Sequence, residues 1–295
     1  MNAITDATAE EIDRYRYGWR DISTKMPDGT VRQKRIALTP KDCLYPEEGD
    51  FMTTSSYHSA IIQYLASVLE LRLKSDPGSK VLSDCKIFWG HPDIGNHGPD
   101  VAVIFGVRNR DRDFPSFTVA DEGVKPTVII EVVSLNVRDN DVIAKVDHYH
   151  RLEIPFYVIV DQDEAGGSRS LIGYRYTPTK YVPVALDENG WLWVERLNIW
   201  MEAMETSVVC YDGETLEPLL GLEETTLLLE HERAETERER ELAERERELA
   251  EWERKRAERE AARAEQERAN TEREKSRADA AEAELAALKA KLADH

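Results

Sequence analysis

The chain has 295 residues, 58 of them acidic and 39 basic, which gives a net charge of −19. Its length allows one large domain or two smaller ones, and its acidic balance argues mildly against nucleic-acid binding because phosphates are neutralised by Lys and Arg. No apolar run is long enough to cross a bilayer and the polar start does not resemble a signal peptide, so we expect a cytoplasmic protein with no membrane partner.

The first predicted element is an N-terminal hairpin. Two strands over residues 15–22 and 30–38 flank Asp28-Gly29, which is a strong turn signal. We assign residues 1–38 to this N-terminal extension. A helix over residues 57–74 follows, because its apolar residues keep close to helical spacing.

Four short β-branched runs bounded by Gly or Pro predict strands, and they span residues 80–89, 100–105, 127–133 and 155–161. A helix over residues 139–152 separates the last two of these strands. A strand, a helix and a strand with short joins form a crossover unit, so those two strands are predicted to be parallel. Their nearly continuous apolar character predicts a sheet covered on both faces. Further antiparallel strands are predicted between residues 171 and 211, which completes a domain over residues 39–222.

The last segment, residues 223–295, is predicted to be one long helix. It contains neither Pro nor Gly and is dominated by Glu, Arg, Ala and Leu, with 23 acidic and 16 basic side chains. Ala, Thr or Leu recurs every seventh residue from 243 to 292. The companion position three residues later holds Glu until Ala281 and Leu288, so a two-position coiled-coil seam exists only in the last two heptads.

Charged pairs three or four residues apart also stabilise this helix, and they include Glu241/Arg245, Glu244/Arg247 and Glu251/Lys255. A weak coiled coil and a solitary charged helix are equally compatible with the pattern. In either form we expect residues 223–295 to act as an arm for self-association or for docking a helical partner.

One carboxylate interrupts an otherwise apolar strand. Glu131 lies within the run Pro126-Thr-Val-Ile-Ile-Glu-Val-Val-Ser134, and an ionised carboxylate there costs several kcal/mol unless it is paired, hydrogen-bonded or bound to a metal. Asp100 lies at the mouth of a second apolar run. Two such acids are suited to holding Mg²⁺, which prefers oxygen ligands, and the backbone carbonyl of Val132 is a third candidate ligand.

A lysine is expected on the inner side of the helix that follows. Asp141, Lys145 and Tyr149 are four residues apart and share one helical face next to an apolar stripe. The ammonium of Lys145 can therefore reach the carboxylates and stabilise transition-state charge or orient a water. The competing interpretation is a structural ion pair of Lys145 with Glu131 or with Asp141, and the spacing alone favours it slightly.

These motifs, in this order and spacing, resemble the putative restriction endonuclease family of the PD-(D/E)XK nuclease superfamily. The likeness covers roughly residues 40–200 and is carried by Pro99-Asp100, the strand around Glu131, the Asp141/Lys145/Tyr149 helix and residues 154–161. The resemblance implies an α/β (α+β) fold with a mixed central sheet flanked by helices, to which this chain adds its long C-terminal helix or coiled coil.

The resemblance also implies roles for individual residues. Asp100 and Glu131 become Mg²⁺ ligands, with Mn²⁺ as a substitute, and Lys145 assists the attack of water on a phosphodiester of DNA. Val133 stands where the simple motif has lysine, so the lysine would have moved to the following helix. His58, at the start of the helix predicted over residues 57–74, is a further candidate. The alternative is a catalytically inactive scaffold with a nuclease fold that acts through its tail.

Overall fold

The computed structural model describes residues 14–162 and 167–293. The chain divides into two compact units, Met1–Thr225 and Thr226–His295. The boundaries that we predict at residues 38 and 222 stay predictions.

The first unit begins with the predicted hairpin. Its elements are β1 (Trp19–Lys25), β2 (Val31–Ala37), α1 (Pro40–Leu44), β3 (Asp50–Phe51) and α2 (Ser56–Arg72). β1 pairs antiparallel with both β2 and β3. β1 starts four residues later than predicted, because the N–H of Gly18 donates to the carbonyl of Tyr15 and closes a turn there. Gly18 has φ +105°, which favours glycine.

Helix α2 confirms the predicted helix over residues 57–74. Ser55 is its N-cap and its hydroxyl accepts a hydrogen bond from the N–H of His58 at 3.1 Å. Leu65 and Leu69 on its inner face are fully buried. Burying a leucine side chain contributes about 1.5–3 kcal/mol, so this face fixes the helix on the sheet.

The remaining elements of the first unit follow in chain order. They are β4 (Ser79–Ser83), β5 (Ile87–Phe88), β6 (Val101–Phe105), β7 (Phe117–Thr118), α3 (Val119–Glu122), β8 (Pro126–Val132), a π-helical turn (Asn140–Ala144), α4 (Lys145–Arg151), β9 (Phe156–Gln162), β10 (Arg169–Tyr176), β11 (Tyr181–Val184), β12 (Leu192–Val194), β13 (Ile199–Ala203) and β14 (Val208–Asp212).

A six-stranded mixed sheet forms the centre of this unit, in the order β11-β10-β9-β8-β6-β4. β8 and β9 are parallel, as the crossover unit predicts, and the other neighbours are antiparallel. One face packs against α2 and the strands β12 and β13. The opposite face packs against α4. The expectation of a mixed sheet flanked by helices is therefore confirmed.

Two predicted elements differ in detail. The strand predicted over residues 80–89 is broken into β4 and β5, because Asp84 adopts a left-handed backbone with φ +49°. The helix predicted over residues 139–152 starts with a π-helical turn, in which the N–H of Lys145 donates to the carbonyl of Asn140, five residues back.

The predicted long helix, α5 (Leu222–Ala293), begins at the end of the first unit and forms the described part of the second. The predicted pair Glu251–Lys255 forms at 2.5 Å, and Arg254–Glu258 and Arg256–Glu260 form as well. Leu242, Leu249, Trp252 and Leu285 are more than half exposed in the single chain. The side chains of Leu288 and Leu292, which belong to the predicted seam, lie outside the described residues. Pairing of this helix with a second one stays a prediction.

Candidate active site

Asp100 and Glu131 face each other across two neighbouring strands. Val101 of β6 pairs with Ile130 of β8 in an antiparallel register, so Asp100 stands opposite Glu131 and both side chains leave the same face of the sheet. The N–H of Asp100 donates to Oε2 of Glu131 at 3.3 Å, and the N–H of Val132 donates to Oδ2 of Asp100 at 2.6 Å. The two carboxylates are therefore held next to each other by backbone groups.

Lys145, the first residue of α4, contacts Glu131 of this pair. Its Nζ lies 2.9 Å from Oε2 of Glu131 and 2.8 Å from Oδ1 of Asp141. Both carboxylates are buried and the lysine side chain is 10% exposed. Lys145 thus contacts both Glu131 and Asp141, the two partners that the structural interpretation offers. The catalytic interpretation requires the contact with Glu131, which is also present.

Tyr149 completes the hydrogen bonding of Glu131. Its hydroxyl donates to Oε1 at 2.7 Å from a fully buried position. Behind the tyrosine, the indole N–H of Trp89 donates to Nδ1 of His97 at 2.9 Å, and Nε2 of His97 lies 3.1 Å from Nδ1 of His148. The rings of His97 and Tyr149 pack edge to face. This aromatic cluster holds the tyrosine on the glutamate.

His58 lies on the other side of Asp100. Its Nε2 is 3.6 Å from Oδ1 of that carboxylate, and its Nδ1 is buried without a hydrogen-bond partner among the described residues. Burial lowers the pKa of His58, but the close contact with the negatively charged Asp100 outweighs this effect, so the pKa is raised overall. The structure thus brings this histidine to the candidate site as well.

A pocket of about 90 Å³ opens onto these residues. Asp84 lines it together with both carboxylates, and its N–H donates to the carbonyl of Asp100 at 3.3 Å. Burial and the charge of Asp100 raise the pKa of Asp84. A left-handed backbone at a residue other than Gly stores strain, which is often found at functional sites.

The charged groups of the site shift one another's pKa values. Burial raises the pKa values of Glu131 and Asp141, although Lys145 opposes this effect. Burial alone would lower the pKa of Lys145, but the surrounding carboxylates raise it. The ammonium therefore stays protonated at neutral pH. Lys145 can therefore donate hydrogen bonds and stabilise negative charge.

The donor set fits Mg²⁺ only in one of its usual modes. The described residues contain no cluster of three or more His, Cys, Asp and Glu side chains arranged to hold a metal ion. The donors of Asp100 and Glu131 are all oxygens, which suits a hard cation. Mg²⁺ is commonly bound by one or two carboxylates, with waters and substrate phosphates completing its coordination. The residues match that mode and do not form a complete protein cage.

Sequence reasoning misses Asp84 and His97, and it does not pair Arg138 with Asp161. Asp84 lies within a stretch that reads as one continuous strand, and His97 gives no sequence signal at all. Arg138 donates two hydrogen bonds to Asp161 at 2.8 and 2.5 Å at the same end of the sheet. This ion pair anchors the segment between β8 and the π-helical turn, and only the fold brings its two residues together.

Comparisons with known proteins give a family match and a similar solved structure. Residues 49–202 match the model of the Uma2 family, described as "Putative restriction endonuclease". A crystal structure of a putative nuclease belonging to DUF820 from Anabaena variabilis ATCC 29413 is similar over 59% of this chain and 82% of that one, with 18% sequence identity and a TM-score of 0.36. No curated protein matches the chain.

Among the described residues, no helix combines the length and the apolar character needed to span a membrane.

The family match covers more than half of the chain and includes Asp100, Glu131 and Lys145. The chain belongs to the Uma2 putative restriction endonuclease family, a nuclease family of the PD-(D/E)XK type.

Proposed function

We propose that the chain is a Mg²⁺-dependent endonuclease that hydrolyses phosphodiester bonds of DNA, with Asp100, Glu131 and Lys145 as its catalytic residues. The observation that carries the proposal is the contact of Lys145 with Glu131 at 2.9 Å, directly beside Asp100. Two carboxylates and an ammonium on one sheet face are the groups that phosphodiester hydrolysis uses.

Each residue has a distinct task in this proposal. Asp100 and Glu131 would hold the cation, and when bound it would neutralise charge on the phosphate and lower the pKa of a water. In a strand, the N–H and C=O of one residue leave the backbone on the same edge, so the Val132 carbonyl is directed towards the Asp100 side, as its N–H is. Lys145 would place its positive charge where negative charge develops, while Asp141 and Tyr149 fix the ammonium and Glu131.

The N-terminal hairpin supports a nucleic-acid substrate. β1 and β2 with their turn carry five basic and two acidic side chains, in a chain whose net charge is −19. Lys25, Arg32 and Lys34 are exposed. Arg16 and Tyr17, just before β1, line the pocket of the carboxylates, so this basic hairpin starts at the rim of the candidate site.

Cleavage assays test the proposal. Plasmid DNA, single-stranded DNA and RNA are incubated with the full chain and Mg²⁺, Mn²⁺ or EDTA. Removing a group that stabilises developing charge typically costs about 10²–10³-fold in rate, and we expect at least that loss for Asp100→Asn, Glu131→Gln and Lys145→Gln. Asp121→Asn, at an exposed acid outside the site, is the matched control. Equal activity in all four variants would exclude this site.

A further inference from the structure

A buried arginine that has no ion-pair partner among the described residues lies in a second pocket, next to the candidate active site. Arg169, the first residue of β10, is 7% exposed, and within the described residues neither its Nε nor its Nη1 has a hydrogen-bond partner. No carboxylate of the described residues forms an ion pair with it. Burying a guanidinium in this way costs several kcal/mol, unless a ligand of opposite charge compensates.

The pocket that Arg169 lines has a volume of about 490 Å³ and adjoins the pocket of the carboxylates. The two pockets share five lining residues, which are Thr53, Thr54, His58, Ser134 and Asn136. A ligand in the pocket of the carboxylates can therefore extend into the pocket of Arg169. Arg169 is also the only arginine or lysine that lines the second pocket among the described residues, so an anion entering there meets this guanidinium.

The sheet fixes how far Arg169 lies from the carboxylates. Arg169 pairs with Gln162 of β9, and β9 pairs with β8, which carries Glu131. Across the sheet, two strand spacings of about 4.8 Å separate β8 from β10. Along the sheet, Gln162 lies three residues beyond Ile159, the partner of Glu131, so the backbones of Arg169 and Glu131 are about 14 Å apart. That distance is too long for the phosphate that reacts. It suits another phosphate of the same strand.

We propose that Arg169 binds a backbone phosphate of the substrate, distinct from the one that is cleaved. The proposal rests on the proposed nuclease function for the identity of the ligand. A guanidinium presents paired N–H groups that match two phosphate oxygens, and it stays charged even when buried. Burial is the cause that lowers the pKa of Arg169, and a bound phosphate would reverse this effect.

A structural arginine and a ligand-binding arginine predict opposite effects on stability. If Arg169 supports the fold, Arg169→Met lowers the Tm of the full chain. If it awaits an anion, the Met variant without phosphate is at least as stable as the wild type, because an unpartnered buried charge is removed. Inorganic phosphate, compared with chloride at equal ionic strength, then raises the Tm of the wild type and leaves that of Arg169→Met unchanged.

Arg175→Met is the matched control. Arg175 lies on the same strand, is exposed and forms an ion pair with Glu195 at 3.3 Å. Its variant keeps the phosphate-dependent rise in Tm. Glu205→Gln removes an exposed acid from the lining of the Arg169 pocket and increases the response to phosphate. A lower Tm for Arg169→Met with an unchanged response to phosphate overturns the site.

Oligonucleotide binding identifies the kind of phosphate. Fluorescence anisotropy in EDTA, where no cleavage occurs, compares DNA duplexes with and without 5′-phosphates. Each phosphate contact contributes about 0.9 to the slope of log K against log salt, so Arg169→Met reduces the slope by about one on the duplex without terminal phosphates. An effect that appears only with 5′-phosphorylated DNA overturns the assignment to a backbone phosphate.

The outcomes separate this inference from the proposed function. A chain that cleaves no nucleic acid but loses its phosphate response in Arg169→Met keeps the anion site and rejects the nuclease. A chain that cleaves DNA while Arg169→Met retains the wild-type KM, affinity and salt slope keeps the nuclease and rejects the anion site.

Discussion

Replacing Lys145 by methionine would test the charge balance of the candidate site. Lys145→Met removes the ammonium that lies 2.9 Å from Glu131 and 2.8 Å from Asp141, and leaves side chains that are 1% and 7% exposed. Removing one partner of a buried ion pair costs about 3–5 kcal/mol, because the remaining charge is buried without compensation. Domains are stable by about 5–15 kcal/mol, so this loss is a large fraction of the total.

Urea unfolding followed by tryptophan fluorescence measures the effect on the full chain in EDTA. For a unit of this size, 3–5 kcal/mol corresponds to a fall in Tm of about 6–20 °C. Lys125→Met is the control, because Lys125 forms an exposed ion pair with Glu153 at 3.0 Å. Exposed pairs contribute about 0–1 kcal/mol, and we expect the control to stay within that range.

The pH dependence and a triple variant refine the test. Without the ammonium, burial holds the pKa values of Glu131 and Asp141 above their unfolded values of about 4, so the loss is absent below about pH 4 and grows as the pH rises. Glu131→Gln/Asp141→Asn/Lys145→Met carries no charges and should recover most of the stability. A loss below about 1 kcal/mol for Lys145→Met at pH 8, or an equal loss in the triple variant, would refute the reasoning.

Three further predictions concern other parts of the chain. Burial lowers the pKa of His97 to about 2, so the wild type loses stability as the pH falls below about 6.5, by at most about 1.4 kcal/mol per pH unit. Urea titrations at several pH values should show that His97→Gln reduces this pH dependence. The control His231→Gln, at an exposed histidine, should leave it unchanged. The double variant Arg32→Glu/Lys34→Glu on the hairpin should weaken DNA binding in anisotropy titrations. The control is the same charge reversal at Arg175 and Lys180, which lie at the end of the central sheet away from the candidate site, and it should leave binding unchanged. Equal losses of affinity in both variants would exclude a specific hairpin contact. Removing residues 226–295 should leave the Tm of the first unit unchanged. It should also lower the number of subunits per particle, calculated from the mass measured by light scattering. An unchanged number of subunits would exclude self-association through α5.

The fold is predictable from sequence where the spacing of apolar residues agrees with the Gly and Pro residues that bound an element. The parallel pairing of β8 and β9 follows from apolar runs on both sides of a helix, and α2 follows from its apolar spacing. The break at Asp84 is not predictable, because the apolar residues around it continue the strand pattern and the left-handed backbone leaves no compositional signal. The π-helical turn is also hidden, since α and π turns place similar residues inward.

The candidate site is predictable in part. A glutamate among β-branched residues and a lysine at helical spacing from Asp141 both indicate partners, and Lys145 contacts Glu131 as that reasoning requires. Arg169 escapes sequence reasoning, because it follows Gly166, Gly167 and Ser168 in a stretch that reads as a polar loop. Its burial depends on the packing of β10 in the sheet. The basic hairpin is likewise masked when charge is averaged over an acidic chain.

The π-helical turn at residues 140–144 makes the site sensitive to the length of that segment, and not only to its side chains. One residue corresponds to about 100° of rotation along an α-helix. Deleting one residue between Asp141 and Lys145 would restore α-helical hydrogen bonding and place Asp141 three instead of four residues before the lysine, while Lys145 keeps its place opposite Glu131. A single deletion thus changes the geometry of the contact between Asp141 and the ammonium, while every charge of the site stays present.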